Sequence, residues 1–350
     1  MIRQISLSLL IPGLLQANLA AEPILPSGAK LEKLFDGIVL TEGVAVAPDG
    51  MAYFSDITFS HQARTKTDAI HAGHIWKFDP RTKKTTIFRS PSGMSNGIKF
   101  DAHGDMIICE GADYGGQRVI RTDMKTGMSY IIAGTFEGRP FNAPNDVTID
   151  LKGRIYFSDP RYLGHEAIEQ PVMGVYRLDP DGSIHRIISD AGKPNGVCVS
   201  PDQKTLYVVS NDNGATAFER LAKAANPDDP VTPAVPLRKG HMALMAYDLD
   251  AQGNAKFRKT LVDYTPEDGP DGLVVDTKGN LYVAVRAANR PGIVVYSPKG
   301  KELAYIKTAE LPTNVGFARG QEGNILYITA GKSLYRIRTN MQGYQLPAAK

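Results

Sequence analysis

Six residues with side-chain oxygens recur at one place in six repeats of this 350-residue chain. They are Glu42, Asn96, Asn145, Asn195, Asp271 and Asn314, and they start 54, 49, 50, 76 and 43 residues apart. Each precedes a short apolar run, as in Asn96-Gly-Ile-Lys-Phe, Asn195-Gly-Val-Cys-Val and Asp271-Gly-Leu-Val-Val. Two carboxylates and four amides, without His or Cys, make a set of hard oxygen donors. Ca²⁺ takes several such oxygens and tolerates irregular geometry, whereas Mg²⁺ keeps more of its water. A single Asn or Asp before a strand does no more than cap a turn. Six at one register point to a cation site, provided the fold brings them together.

The elements that must do so are hairpins. After each apolar run comes a turn and a second strand, ending at Asp56, Glu110, Asp159 or Ser210 in the first four repeats. A hairpin returns the chain to its start, so these residues are predicted at the same end as the six. A third strand also recurs, as His74-Ile-Trp-Lys-Phe-Asp, Gly174-Val-Tyr-Arg-Leu-Asp and Ser333-Leu-Tyr-Arg-Ile-Arg, and in all but the last repeat a fourth follows. Four strands in a repeat of roughly 45–50 residues is the signature of a propeller blade. The expected fold is therefore all-β, a six-bladed β-propeller of four-stranded blades. The sixth repeat lacks its fourth strand, and a spare strand at 31–38 is predicted to supply it and close the ring. First strands line the channel of a propeller, so the six residues are expected around one mouth. The long loops 57–73, 160–172 and 211–243 emerge there, as functional loops on a rigid scaffold do.

Composition excludes other classes. The net charge of +3 comes without a basic cluster, which argues against nucleic acid or an anionic membrane as partner. Residues 1–20 have the form of a secretory leader: Arg3, an apolar run from Ile5 to Leu15, then small residues up to Ala21. The run is short for a membrane span and contains Pro12. Cleavage near Ala20 or Ala21 is expected, with export to the periplasm or medium and a propeller of residues 21–350. Cys109 and Cys198 fall in non-adjacent repeats inside apolar strands and are expected to be buried free thiols. A monomer is expected.

Several motifs resemble the SMP-30/gluconolactonase/LRE family: Phe141-Asn-Ala-Pro-Asn-Asp-Val with Tyr156-Phe-Ser-Asp-Pro, Lys193-Pro-Asn-Gly-Val, Gly269-Pro-Asp-Gly-Leu, Thr41-Glu-Gly, and Leu326-Tyr-Ile-Thr-Ala-Gly-Lys-Ser-Leu-Tyr-Arg-Ile. The resemblance covers about residues 32–338. It implies a six-bladed propeller with a divalent cation in the channel, often Ca²⁺, with Mg²⁺, Mn²⁺ or Zn²⁺ as alternatives, and hydrolysis of a sugar lactone. It carries over Glu42, Asn145, Asn195 and Asp271 as metal ligands and Asp271 as general base. Asn96 and Asn314 are left to bond substrate or metal-bound water. A His that often follows the second-blade Glu in the family is Gly111 here, and the loops after Ile57 and Asn211 are long.

In the implied reaction the cation polarises the lactone carbonyl and Asp271 takes a proton from the attacking water. Glu110, Asp159, Arg161 and Tyr162 are candidates to hold sugar hydroxyls. His61, His71, His165 and His241 fall in or beside the mouth loops, where one could act as acid or base, but none has metal-pair spacing. His103 and His185 read as solvated or structural. Two other readings stand beside the lactonase: a Ca²⁺-dependent phosphotriester or arylester hydrolase, and a non-catalytic propeller that binds a sugar or partner.

Overall fold

A computed structural model describes residues 22–60, 62, 65–67, 69–216 and 238–349. The expected leader 1–20, His61 and most of the loop after Asn211 lie outside these residues. Six four-stranded antiparallel sheets follow one another along the chain. Their inner strands are Leu40–Val46, Ser95–Phe100, Val147–Ile149, Pro194–Val199, Pro270–Val275 and Pro312–Phe317. The all-β propeller read from the repeats is the fold observed. Between neighbouring blades lie the apolar clusters of the core; Ile107, Val147, Phe157 and Tyr176, for instance, pack together between the second and third. Cys109 and Cys198 are both buried and free.

Ring closure also follows the sequence reading. The strand Glu32–Asp36 pairs antiparallel with Ser333–Arg338 and completes the sixth blade. The chain then crosses into the first blade over residues 37–39, and the carboxylate of Asp56 fastens this crossing. Asp56 is fully buried. It accepts the backbone N–H of Ile38 at 2.6 Å, of Val39 at 3.1 Å and of Leu40 at 3.2 Å. It also accepts the indole N–H of Trp76 at 3.0 Å, beside the Phe35 ring of the closing strand.

Asp159 does the same at the third blade, accepting the backbone N–H of Asn142 at 2.9 Å and of Ala143 at 2.7 Å. Burial still pushes its pKa up to about 7. Asp56 and Asp159 thus pin the segments entering their own blades. The far end of the channel is crossed by the C-terminal segment, where Tyr344 N–H donates to Val275 O and the Gln345 amide to Phe317 O and Ala318 O.

Asp56→Ala would leave three backbone donors and one indole donor without their acceptor. The expected loss of stability is on the order of 3 kcal/mol. Trp76 is the only tryptophan of the chain, so its fluorescence in a urea titration reports on this seam. A midpoint equal to that of the parent would contradict the role given to Asp56.

Candidate functional site

Two local features of the inner strands build the site. The first is a β-bulge. In five of the six blades the register between first and second strand slips at or beside the recurring oxygen residue: Glu42/Ala45, Ser95/Ile98, Pro194/Val197, Pro270/Leu273 and Pro312/Asn314. A bulge re-aims one side chain, here toward the channel axis. The second is the glycine that follows most of these residues. A Cβ on Gly97 would lie 2.6 Å from Asn145 O, and one on Gly196 would lie 2.4 Å from Asp271 O. Only glycine lets one inner strand come this close to the next. Gly97 N–H uses the approach to donate to Asn145 O at 2.7 Å. Hydroxyls complete the joins: Ser55 donates to Asn96 O at 2.7 Å and Ser158 to Asn195 O at 2.6 Å.

The result is a cavity of about 400 Å³ at the loop-bearing mouth. Glu42, Asn96, Asn145, Asn195 and Asp271 line it, all nearly buried. Asn314, the sixth, stands behind Glu42. Its amide donates to Glu42 Oε2 at 3.4 Å, and its own oxygen accepts Val315 N–H at 2.8 Å. Among the described residues no three His, Cys, Asp or Glu side chains are grouped so that they could hold a metal ion by themselves; the cluster mixes two acids with amides.

Charge is poorly balanced here. Burial pushes the Glu42 carboxyl well above the ordinary carboxylate range, and the charge of Asp271 pushes it further. Burial also raises Asp271, against the pull of Arg286 and a hydrogen bond from Asn195. Behind them Asp146 is raised by burial too, opposed by Lys99. The side-chain oxygens of Asn96 and Asn195 are buried without a hydrogen-bond partner.

Arg286 escaped the sequence reading. It follows the second strand of the fifth blade, one residue past Val285, which holds the register of Asp56, Glu110 and Ser210. Its guanidinium lies 3.3 Å from Asp271 Oδ2 and donates to Pro312 O at 3.1 Å.

Of the four residues expected to hold hydroxyls, only Tyr162 lines the cavity. Its hydroxyl donates to Asn211 O at 3.1 Å, and the ammonium of Lys193 sits 4.9 Å from its ring centre. The other three are turned to structural tasks. Glu110 is ion-paired with Arg118 at 2.6 Å. Asp159 holds the entry to the third blade. Arg161, only 1% exposed, donates to Asn142 O, Thr216 O and Glu166 O. None of the described histidines lines the cavity.

A model of the SMP-30/gluconolactonase/LRE-like region matches residues 40–227 and 240–332. Gluconolactonase from Zymomonas mobilis subsp. mobilis is 29% identical over 268 residues, 73% of this chain and 65% of that relative, so the chain spans less than two thirds of its length. Among solved structures, a candidate gluconolactonase is 27% identical over 92% of this chain and 96% of that one, with a TM-score of 0.72. A calcium-binding protein, regucalcin, from Agrobacterium tumefaciens shares the fold at 18% identity, covering 94% of this chain and 99% of that one, with a TM-score of 0.66.

Arg286→Ala removes the cation beside two buried acids. A fully buried pair broken in this way costs about 3–5 kcal/mol. Arg286 keeps 23% side-chain exposure, so a loss of about 1–3 kcal/mol is expected in EDTA. Without the guanidinium, the folded-state pKa of Asp271 rises further above its unfolded value. The variant's deficit should therefore be smallest near pH 4, below the folded-state pKa of Asp271 in both proteins, and grow as pH rises toward 8. Denaturant midpoints at several pH values measure it, and a deficit that shrinks with rising pH would reverse the assignment.

Proposed function

The chain belongs to the SMP-30/gluconolactonase/LRE-like family, and from that premise we propose that it hydrolyses a lactone with the help of a divalent cation, Ca²⁺ first. The observation that carries this reading is the convergence of Glu42 and Asp271 with a rank of amides on the floor of one cavity. The residues fit a hard cation. Two acids are buried with one guanidinium for balance, and two amide oxygens have no hydrogen-bond partner. Glu42, Asn145, Asn195 and Asp271 would hold the ion. When bound, it supplies a positive charge that polarises the carbonyl of the ester. The names of the gluconolactonase relative and of the calcium-binding neighbour support both halves of the proposal.

The chain's own residues supply the proton chemistry. Asp271 accepts a proton from the water that attacks the carbonyl carbon. The ring C–O bond then breaks, and the same carboxyl returns the proton to the departing alkoxide, so one water is consumed and a hydroxy acid leaves. Burial raises Asp271, which makes it a stronger base than an exposed carboxylate. Arg286 holds its Oδ2 and fixes the carboxylate's orientation. Asn314 steadies Glu42 from behind. Residues 1–20 fit export before the enzyme acts.

Two outcomes are expected. EDTA should abolish proton release from a panel of lactones, and Ca²⁺ should restore it, with Glu42→Gln needing far more Ca²⁺ than the parent. At saturating Ca²⁺, Asp271→Asn should lower kcat by about 10²–10⁴, while Asn195→Ala should recover much of its activity. A fully active Asp271→Asn would remove Asp271 as base. A parent with no turnover on any lactone would end the hydrolase reading.

A further inference from the structure

We infer that the cavity takes a lactone carrying an apolar substituent in preference to a polyhydroxylated sugar lactone; this rests on the lactone-hydrolase reading. A sugar lactone brings a hydroxyl on nearly every ring carbon. Each hydroxyl needs a partner once it is out of water. Among the described residues, the polar groups of the cavity are gathered on its floor. The walls above are Phe59, Met94, Ala112, Pro144, Leu163 and Leu311.

Most of the few polar groups higher in the wall already have partners, the side-chain oxygen of Asn211 excepted. The Tyr162 hydroxyl donates to Asn211 O. Asn213 Oδ1 accepts from Lys193 and from Ala215 N–H. Asp268 is paired with Lys239 at 2.6 Å. Glu110, Asp159 and Arg161, which the sequence offered for hydroxyls, face elsewhere.

The apolar wall is held in place by a buried latch. Phe59, Ala112 and Leu163 come from three different mouth loops, and each stands next to or near a residue of one polar network. Asp113 is fully buried. Its carboxylate accepts Ser60 N–H at 2.7 Å and the Ser60 hydroxyl at 2.9 Å, and lies 3.5 Å from His165 Nε2. Glu166 in turn accepts Asp113 N–H at 3.0 Å and Tyr114 N–H at 2.6 Å. Arg161 donates to the Glu166 backbone and lies 3.5 Å from its carboxylate. Asp113 and Tyr114 hold φ of 68° and 65°, a conformation that non-glycine residues adopt only when their surroundings over-determine it. Ser60 Oγ bonds Asp113 directly, and neither Ser60, Asp113 nor His165 lines the cavity. The network therefore fastens three loops so that their apolar neighbours face one cavity.

The test compares kcat/KM at saturating Ca²⁺ for glucono-1,5-lactone and for δ-lactones bearing a pentyl or phenyl group. The expected preference for the apolar substrates is about tenfold or more, the scale on which a hydrophobic pocket discriminates. Calorimetric binding of the corresponding lactams, which are not turned over on the time scale of the titration, should follow the same order. Leu163→Asn should erode the preference through the apolar substrates. Asp113→Ala should erode it by loosening the latch, with Ca²⁺ affinity retained. Equal or better use of glucono-1,5-lactone by the parent would overturn the inference and leave the lactonase reading standing. If Leu163→Asn kept the full preference, the wall would lose its role. Absence of turnover on both classes would overturn the lactonase reading and the substrate assignment together.

Discussion

Everything at the mouth depends on how closely the six inner strands approach the channel axis. The approach is set by backbone, at contacts such as Gly97 against Asn145 O and Gly196 against Asp271 O. Relaxing them would move apart every oxygen on the cavity floor. Bulges at the same positions then aim the side chains inward. Close approach and inward aim together force acids and amides into a space where they are nearly buried. The raised carboxyls of Glu42 and Asp271 follow from that geometry. A scaffold of paired strands tolerates such a cost because its stability is generated elsewhere, in the apolar clusters between blades.

The third blade departs from this rule in an instructive way. Its recurring Asn145 is followed by Asp146 where the other blades have a glycine within two residues. Asp146 is only 1% exposed. Its Oδ2 accepts Val197 N–H from the next blade at 3.2 Å, and Oδ1 has no partner. A third acid therefore stands behind the floor, and its charge adds to the pressure on Glu42 and Asp271. Two basic groups answer it, Lys99 from within the channel and Arg286 at the mouth. The balance around the floor is thus a property of four blades and not of the two acids alone.

Fold and floor were legible in the sequence because both are periodic. A residue type that returns at one register in six repeats carries information that no single copy has. The closing strand was legible by counting, since the sixth repeat is one strand short. What was not legible is direction. The hairpin register puts Asp56, Glu110 and Asp159 near the mouth, with Arg161 in the loop that follows, and they are near it, but it does not say whether a side chain meets the cavity or the backbone beneath. Asp56 and Asp159 turn to backbone N–H groups that would otherwise be buried without acceptors. Arg161 turns to carbonyls for the matching reason. Arg286 is not reached by that register, which falls on Val285 in the fifth blade, one residue before it. The Asp113 latch joins three loops of unequal length, which no repeat-based argument reaches.

The two halves of the site therefore have different physical origins. Inner strands make the floor, and the repeat itself dictates its oxygens. Loops make the walls, and their character depends on which polar groups the loops need for their own order. Long connections over a mouth expose many N–H and C=O groups that must find partners. Here Asp113, Glu166, Arg161, Asn142 and Lys193 meet that need from within the loops and blade ends. Polar side chains engaged in this way do not serve a ligand. The residues between them that face the cavity are left to be apolar, as Phe59, Ala112 and Leu163 are. The price of ordering the loops with their own polar groups is a wall with few hydrogen bonds to offer. Floor chemistry and wall preference can then vary independently, the first through the six-fold register and the second through the loops.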